Sequence, residues 1–83
     1  MSNKNPKAAT LQLRELRRRI GSNINRERLE KQIPLKKLAK ETHIPCNDLD
    51  YFEMGRGRLG LEKLSRIADI MNVELSQLIT GKI

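Results

Sequence analysis

Aliphatic residues recur at helical spacing along nearly the whole chain, and this periodicity constrains its fold more than any other feature. Leu13, Leu16, Ile20 and Ile24 follow one another at steps of three or four residues, and no segment alternates apolar and polar residues over a useful length. Such spacing predicts amphipathic helices that bury one stripe, whereas half-buried strands need a period of two. The sequence therefore predicts an all-α fold with five helices and no internal repeat.

Proline, glycine and capping residues divide this pattern into its five helices. Thr10 suits the N-cap of a long first helix, which could instead be two collinear pieces divided near Gly21. Pro34 suits the start of the second helix, Gly55 the end of the third and Asn72 a left-handed end of the fourth. The predicted helices cover residues 11–31, 34–42, 47–54, 61–71 and 74–80.

Length and charge bound the class of protein. A chain of 83 residues has room for one domain, predicted over residues 10–83 after a flexible basic tail at 1–9. Residues 1–34 carry nine Lys/Arg against three acids, and residues 35–83 carry eight against seven, within a formal net charge of +7. This excess of positive charge favours a polyanionic partner, and nucleic acid is favoured over a membrane surface. The alternative is a solvated basic face without a partner.

Several other classes of protein find no support in the sequence. It contains no apolar run of membrane-spanning length and no apolar stretch near its N-terminus, so neither a transmembrane helix nor a signal peptide is predicted. Cys46 and His43 are each the single residue of their type, so no disulfide, metal site or catalytic nucleophile is predicted. These observations favour a cytoplasmic protein that is not an enzyme and has no cofactor.

The second and third predicted helices are joined by a short turn in which residue size is constrained. Ala39 is the fifth residue of one helix, and Ile44 follows the turn. Because the helices cross steeply, the fifth residue lies under the second helix of the pair and must be small. Leu38, Ile44, Leu49 and Phe52 then fill the angle between them. This pattern is typical of a helix-turn-helix, whose second helix protrudes and is free to enter a major groove.

The ordered set of these residues resembles the helix-turn-helix domains of Cro and the phage repressors, also called the XRE type. The matching stretches are "IG..I...R" from Ile20, "I.LKKLA" from Ile33, "I....L..FE.G.G" from Ile44 and "LEKLSRIADIMNVELSQLI" from Leu61. The resemblance implies a compact five-helix lambda-repressor-like domain with an extended basic N-terminal helix, its motif lying at about 35–54. It also implies a sequence-specific, DNA-binding transcriptional regulator of the repressor type.

The chain departs from the family pattern at its helix ends. Leu35 stands at the position where a Gln commonly touches phosphate, and His43 stands at the position where Gly usually makes the turn. Pro45 stands where Ser or Thr often caps the second helix of the motif, the recognition helix. Glu74 replaces the usual cap of the last helix. His is among the residues enriched in the left-handed conformation, so His43 is still expected to adopt it.

Glu53 is predicted to face inward on the recognition helix. In domains that this chain resembles, a Glu at this position pairs with an Arg of the first helix, and Arg28 stands at the matching position. An Arg–carboxylate fork is well suited to a partly buried site. The resemblance therefore implies a structural salt bridge between Arg28 and Glu53, the alternative being two exposed charges that never meet.

The outward face of the recognition helix carries the candidate base-reading residues. They are Cys46, Asn47, Asp50 and Tyr51. The carboxylate of Asp50 can accept a hydrogen bond from the N4 amino group of cytosine, although Asp50 could instead pair with a nearby Lys or Arg, or this face could meet a protein. Asp48, on the flank, is assigned to helix capping in preference to DNA contact. Cys46 is interpreted as a small groove-facing residue, with redox sensing as the alternative.

Basic residues flank this helix along the chain. Lys36, Lys37, Arg56 and Arg58 occupy positions that resemble the family's phosphate contacts. The basic N-terminal segment could add a minor-groove arm or remain a solvated helix.

A symmetric dimer on palindromic double-stranded DNA is expected, because one recognition helix covers only a few base pairs. The C-terminal helix is predicted to supply the homodimer surface through Leu75, Leu78, Ile79 and Ile83, which are more apolar than a free terminus needs. Two alternatives stay open. One is a protein-interaction adaptor that keeps the fold, and the other is an antitoxin-type regulator that binds a partner protein as well as DNA.

Overall fold

The computed structural model describes the backbone of residues 6–81 and the side chains from Thr10 to Gly81. Its helices are α1 (Pro6–Glu30), α2 (Leu35–Thr42), α3 (Cys46–Glu53), α4 (Leu61–Met71) and α5 (Leu75–Thr80). The predicted all-α fold with five helices is confirmed. The first helix is undivided at Gly21 and begins at Pro6 instead of after Thr10. Of the tail predicted at 1–9, residues 1–5 lie outside the described residues.

The core lies between the C-terminal half of α1 and the helices that follow it. Its buried apolar side chains are Ile20, Ile24, Leu38, Ile44, Leu49, Phe52, Leu64, Ile67, Ala68, Met71 and Leu78. Helix α1 packs against α3 and α5, α2 packs against α3 and α4, and α4 packs against α5. The core is therefore aliphatic apart from Phe52, and every helix contributes to it.

The N-terminal half of α1 extends beyond this core. With 25 residues, α1 is about 37 Å long at 1.5 Å per residue, and the molecule measures 44 × 26 × 19 Å. Leu13 and Leu16 are 46% and 38% exposed, whereas Ile20 is 7% exposed. The predicted stripe from Leu13 to Ile24 is thus buried only in its second half. Leu61, the first residue of α4, is 67% exposed.

Left-handed residues end the helices where the sequence predicts them. His43 (φ 59°) and Asn72 (φ 58°) are the C-caps of α2 and α4, and Gly55 (φ 80°) follows the C-cap of α3. Glu74 begins α5 through a capping box, in which its backbone N–H donates to Oε1 of Gln77 at 2.7 Å. Glu74, which differs from the usual cap of the domains that this chain resembles, thus takes part in a capping box with Gln77.

The left-handed conformation of His43 predicts a stabilising substitution. We expect His43→Gly to raise the free energy of unfolding by about 0.5–1 kcal/mol, because a Cβ is disfavoured there and the entropy that glycine adds to the unfolded chain offsets only part of that gain. Urea unfolding followed by circular dichroism measures the change. As a control, Lys40→Gly in the interior of α2 should lower the free energy of unfolding by about 1 kcal/mol. Destabilisation by both variants would contradict the assignment of strain to His43.

Helix α5 is fastened to α1 rather than free. Leu78 is fully buried in the core, and its carbonyl accepts a hydrogen bond of 2.7 Å from Nδ2 of Asn23, which is itself buried. Nη2 of Arg26 donates to the carbonyl of Gly81 at 3.3 Å. The prediction that Leu78 lies on a dimer surface is therefore wrong, because its side chain is enclosed in the core of the domain. Leu75 and Ile79 are half-buried, and Ile83 lies outside the described residues.

Candidate nucleic-acid interface

The turn between α2 and α3 is built by backbone and core contacts. The backbone N–H of Ile44 donates to the carbonyl of Ala39 at 3.2 Å, and the Ile44 side chain is 2% exposed. Nη1 of Arg66 donates to the carbonyl of Thr42 at 2.8 Å, and the buried Thr42 hydroxyl donates to the carbonyl of Leu38 at 2.6 Å. The bond from Arg66 holds the end of α2 against α4, and the other two bonds fix the turn from which α3 departs.

Helix α3 has one buried face and one exposed face. Leu49 and Phe52 are 0% and 2% exposed. On the opposite side, Tyr51 and Met54 are each 53% exposed, and Asn47 and Asp50 are also exposed. Cys46, the first residue of α3, is half-buried. The candidate base readers Asn47, Asp50 and Tyr51 therefore share a solvent-facing side, and their role in reading bases stays a prediction.

The start of α3 agrees with the position expected for Asp48. Pro45 is the N-cap, and it makes no side-chain capping hydrogen bond. Asp48 is exposed in the first turn. Its carboxylate there complements the positive end of the helix dipole, an effect worth about 0.3–1 kcal/mol at the surface, as its position in the sequence predicts.

The buried face of α3 is tied to α1 by a two-pronged ion pair. Nε of Arg28 donates to Oε2 of Glu53 at 2.7 Å, and Nη2 donates to Oε1 at 3.0 Å. The two side chains are 13% and 5% exposed. The hydrogen bond with Glu53 raises the pKa of the Arg28 guanidinium above its ordinary value, against an opposing effect of burial. Glu53 thus serves the structure and takes no part in the outward face.

Two further contacts around this pair were not predicted from the sequence. Nδ2 of Asn25 donates to Oε1 of Glu53 at 2.8 Å, and Nη1 of Arg28 donates to the carbonyl of Ile33 at 3.0 Å. The network therefore joins α1, α3 and the segment before α2. The position of Asn25 three residues before Arg28 was the available signal, because residues at that spacing share a helix face.

Helix α1 crosses the end of α3 at a glycine. A Cβ at Gly21 would overlap the carbonyl oxygen of Phe52, and it would lie 3.2 Å from the carbonyl carbon of Glu53. The backbone of α1 thus touches the backbone of α3 directly, and only glycine leaves room for this approach. The contact sets the distance between the last turn of α3 and the middle of α1.

Exposed basic residues lie on both sides of α3 along the chain. Lys36 and Lys37 occupy the first turn of α2, and Arg56 and Arg58 lie in the segment between α3 and α4. None of these four, nor Asp50, belongs to an ion pair within the described part of the chain. Asp50 therefore forms no ion pair among the described residues, although its charge helps to raise the pKa of Arg28. The four cations remain available to an external anion.

Over residues 6–81, no group of His, Cys, Asp and Glu side chains is placed to hold a metal ion. No helix in the same range is both long enough and apolar enough to cross a membrane.

Comparison with known proteins supports the fold. No protein-family profile and no curated protein matches the chain. Among solved structures, the chain is similar to the clp gene regulator ClgR from Corynebacterium glutamicum, with a TM-score of 0.74 and 22% sequence identity. The similarity covers 76% of this chain and 67% of that chain. At this level of identity it establishes a shared arrangement of helices.

Proposed function

We propose that this protein is a sequence-specific transcriptional regulator that inserts α3 into the major groove of double-stranded DNA. The observation that carries the proposal concerns the two faces of α3. Its inner face is buried and held by the ion pair of Arg28 and Glu53, and its outer face is exposed. Exposed cations precede and follow this helix in the chain. The net charge of +7 supports a polyanionic partner. The likeness to a protein described as a gene regulator supports the same reading.

Base reading and phosphate binding are assigned to different residues. The proposed base readers are Cys46, Asn47, Asp50 and Tyr51, and the proposed phosphate contacts are Lys36, Lys37, Arg56 and Arg58. Asp50 opposes the phosphates, yet it is exposed and its carboxylate can accept from the N4 amino group of cytosine. Its presence therefore lowers general affinity for DNA while raising discrimination between bases, and the cations supply the affinity.

The regulator acts in this proposal as a repressor of the Cro-like, XRE type that binds a palindromic operator as a homodimer. Two copies of α3 in successive major grooves must lie about 34–36 Å apart, one helical turn of DNA. The end of α5 remains the proposed contact between the copies through Leu75 and Ile79, which are half-buried within one protomer. Leu78 takes no part, because it is enclosed in the core.

Selection of binding sites from random duplex DNA tests the proposal. We expect the purified protein to enrich a palindromic site. Asp50→Ala is expected to relax the preference at one position of each half-site, which corresponds to about 1–3 kcal/mol of lost discrimination at that base pair. Fluorescence anisotropy with the selected duplex and its single-base variants measures this loss.

Salt dependence supplies the control. Lys36→Ala should weaken binding to all duplexes alike and reduce the slope of log K against log[salt] by about 1. Arg26→Ala removes the same charge from the side of α1 that faces α5, and it should leave the slope unchanged. Enrichment of no motif, together with salt-sensitive binding to any duplex or with no binding, would contradict a sequence-specific regulator.

A second function is favoured by one observation, the exposure of both Asp48 and Asp50 on α3. A protein-interaction adaptor would use this acidic face against a basic partner, and an antitoxin-type regulator would bind such a partner as well as DNA. The adaptor reading predicts that Asp50→Ala weakens binding to the protein partner and leaves DNA affinity low for every sequence.

A further inference from the structure

An apolar groove of ≈ 390 Å³ runs between the N-terminal half of α1 and the segment that leads into α4. Leu13 and Leu16 form the α1 side, Leu59 and Leu61 form the opposite side, and Arg17 and Arg58 also line it. Its floor consists of core side chains. The groove lies outside the residues proposed to read bases.

Three of the five leucines that line this groove are left exposed by the rest of the chain. Leu13 is 46%, Leu16 38% and Leu61 67% exposed. Contiguous exposed apolar surface of this kind on a small domain marks an interaction site, whereas apolar residues scattered singly do not. The protruding half of α1 therefore presents an apolar surface that a binding partner can cover.

The charge around the groove selects the kind of partner. Both charged residues in its lining, Arg17 and Arg58, are cations. Between Leu11 and Ile20, α1 carries four arginines and one glutamate, Glu15, which is already 3.2 Å from Arg18. A second copy of this chain would bring arginines against arginines. The occupant that complements the groove carries carboxylates beside its apolar residues.

The length of the groove matches a short helical segment. From Leu13 to Ile20 it follows about 10 Å of α1, or two helical turns. A helix laid into such a groove contacts it through apolar residues at i, i+4 and i+7. We propose that this groove binds an acidic amphipathic helix of a partner protein. The groove shares Arg58 with the proposed phosphate contacts and otherwise lies outside the proposed DNA-binding residues, so binding of the helix does not require DNA.

A synthetic helical peptide of about 15 residues, with Leu at i, i+4 and i+7 and Glu on both flanks, tests the site in the full chain. We expect it to bind by fluorescence anisotropy, and a peptide with Lys in place of Glu to bind at least about tenfold more weakly. Leu13→Ser and Leu61→Ser should each weaken the Glu peptide by about tenfold. Leu11→Ser is the matched control, because Leu11 is 60% exposed on the opposite side of α1, half a turn of the helical wheel away.

A charge reversal distinguishes recognition of acidic residues from nonspecific apolar binding. Arg17→Glu should weaken the Glu peptide and strengthen the Lys peptide, with the circular dichroism spectrum unchanged. Equal binding of the two peptides to the wild-type protein, or no binding of the Glu peptide, would overturn the proposal. Self-association in sedimentation that is abolished by Leu61→Ser would overturn it as well, by identifying a second copy as the occupant. Loss of DNA affinity in Leu13→Ser would instead identify DNA, with the same consequence.

Discussion

Arg28→Met is expected to lower the free energy of unfolding by roughly 3–5 kcal/mol, the largest effect of any substitution considered for this protein. The Glu53 side chain is 5% exposed, and its carboxylate accepts two hydrogen bonds from Arg28 and one from Asn25. Removing the guanidinium leaves a buried negative charge with one neutral donor. Urea unfolding followed by circular dichroism measures the loss.

Two controls isolate the stranded charge from the loss of Arg28 packing. Arg28→Met combined with Glu53→Leu should be more stable than Arg28→Met alone, because apolar residues often replace a buried ion pair at little cost. Arg18→Met removes a cation from the ion pair with Glu15, whose side chains are 69% and 57% exposed. It should change stability by less than about 1 kcal/mol. An unfolding midpoint for Arg28→Met equal to that of the wild type would show that Glu53 needs no partner.

Gly21→Ala is expected to lower the free energy of unfolding by about 1–3 kcal/mol, the cost of overpacking a well-packed contact. Helix propensity alone predicts the opposite sign, since alanine is better than glycine inside a helix by about 0.8–1 kcal/mol. The added methyl group would meet the carbonyl oxygen of Phe52, which belongs to the backbone of α3 and cannot rotate away. Thermal and urea unfolding of the variant decide the sign.

Gly60→Ala makes the same chemical change where nothing lies within 4 Å of the added carbon. Gly60 has φ −74° as the N-cap of α4, so alanine fits its backbone. A small loss of capping and a small gain from a stiffer unfolded chain oppose each other, and the net change should stay within about 1 kcal/mol. Stabilisation by Gly21→Ala would contradict the close approach of α1 to α3. Destabilisation by Gly21→Ala with little change in Gly60→Ala would support it.

Much of the fold was predictable because its determinants are local. The spacing of Leu64, Ala68 and Met71 specifies α4, whose predicted bounds agree with the observed ones, Leu61–Met71. His43 and Asn72 end their helices in the left-handed conformation expected of these residue types. A propensity or a periodicity acts within a few residues, so it can be read before any tertiary contact is known.

The candidate interface was predictable in part. A helical wheel separates Asp50 from Leu49 and Phe52, and the exposures agree with that separation. The wheel says nothing of Asn25, which reaches Glu53 across 28 positions of sequence. It likewise does not show whether Asp50 has an intramolecular partner, because that depends on which cations other helices bring near it.

The sequence by itself determined the number of helices, their approximate ends apart from the start of α1, the small residue under the turn and the outward side of α3. The tertiary structure alone decided which apolar stripes are covered. Leu13 and Ile20 belong to one stripe, yet only Ile20 is buried, because the body of the protein reaches only part of α1. Leu78 is enclosed because α5 folds back onto α1. Periodicity shows which side of a helix is apolar, but the length and direction of its neighbours decide what excludes water from that side.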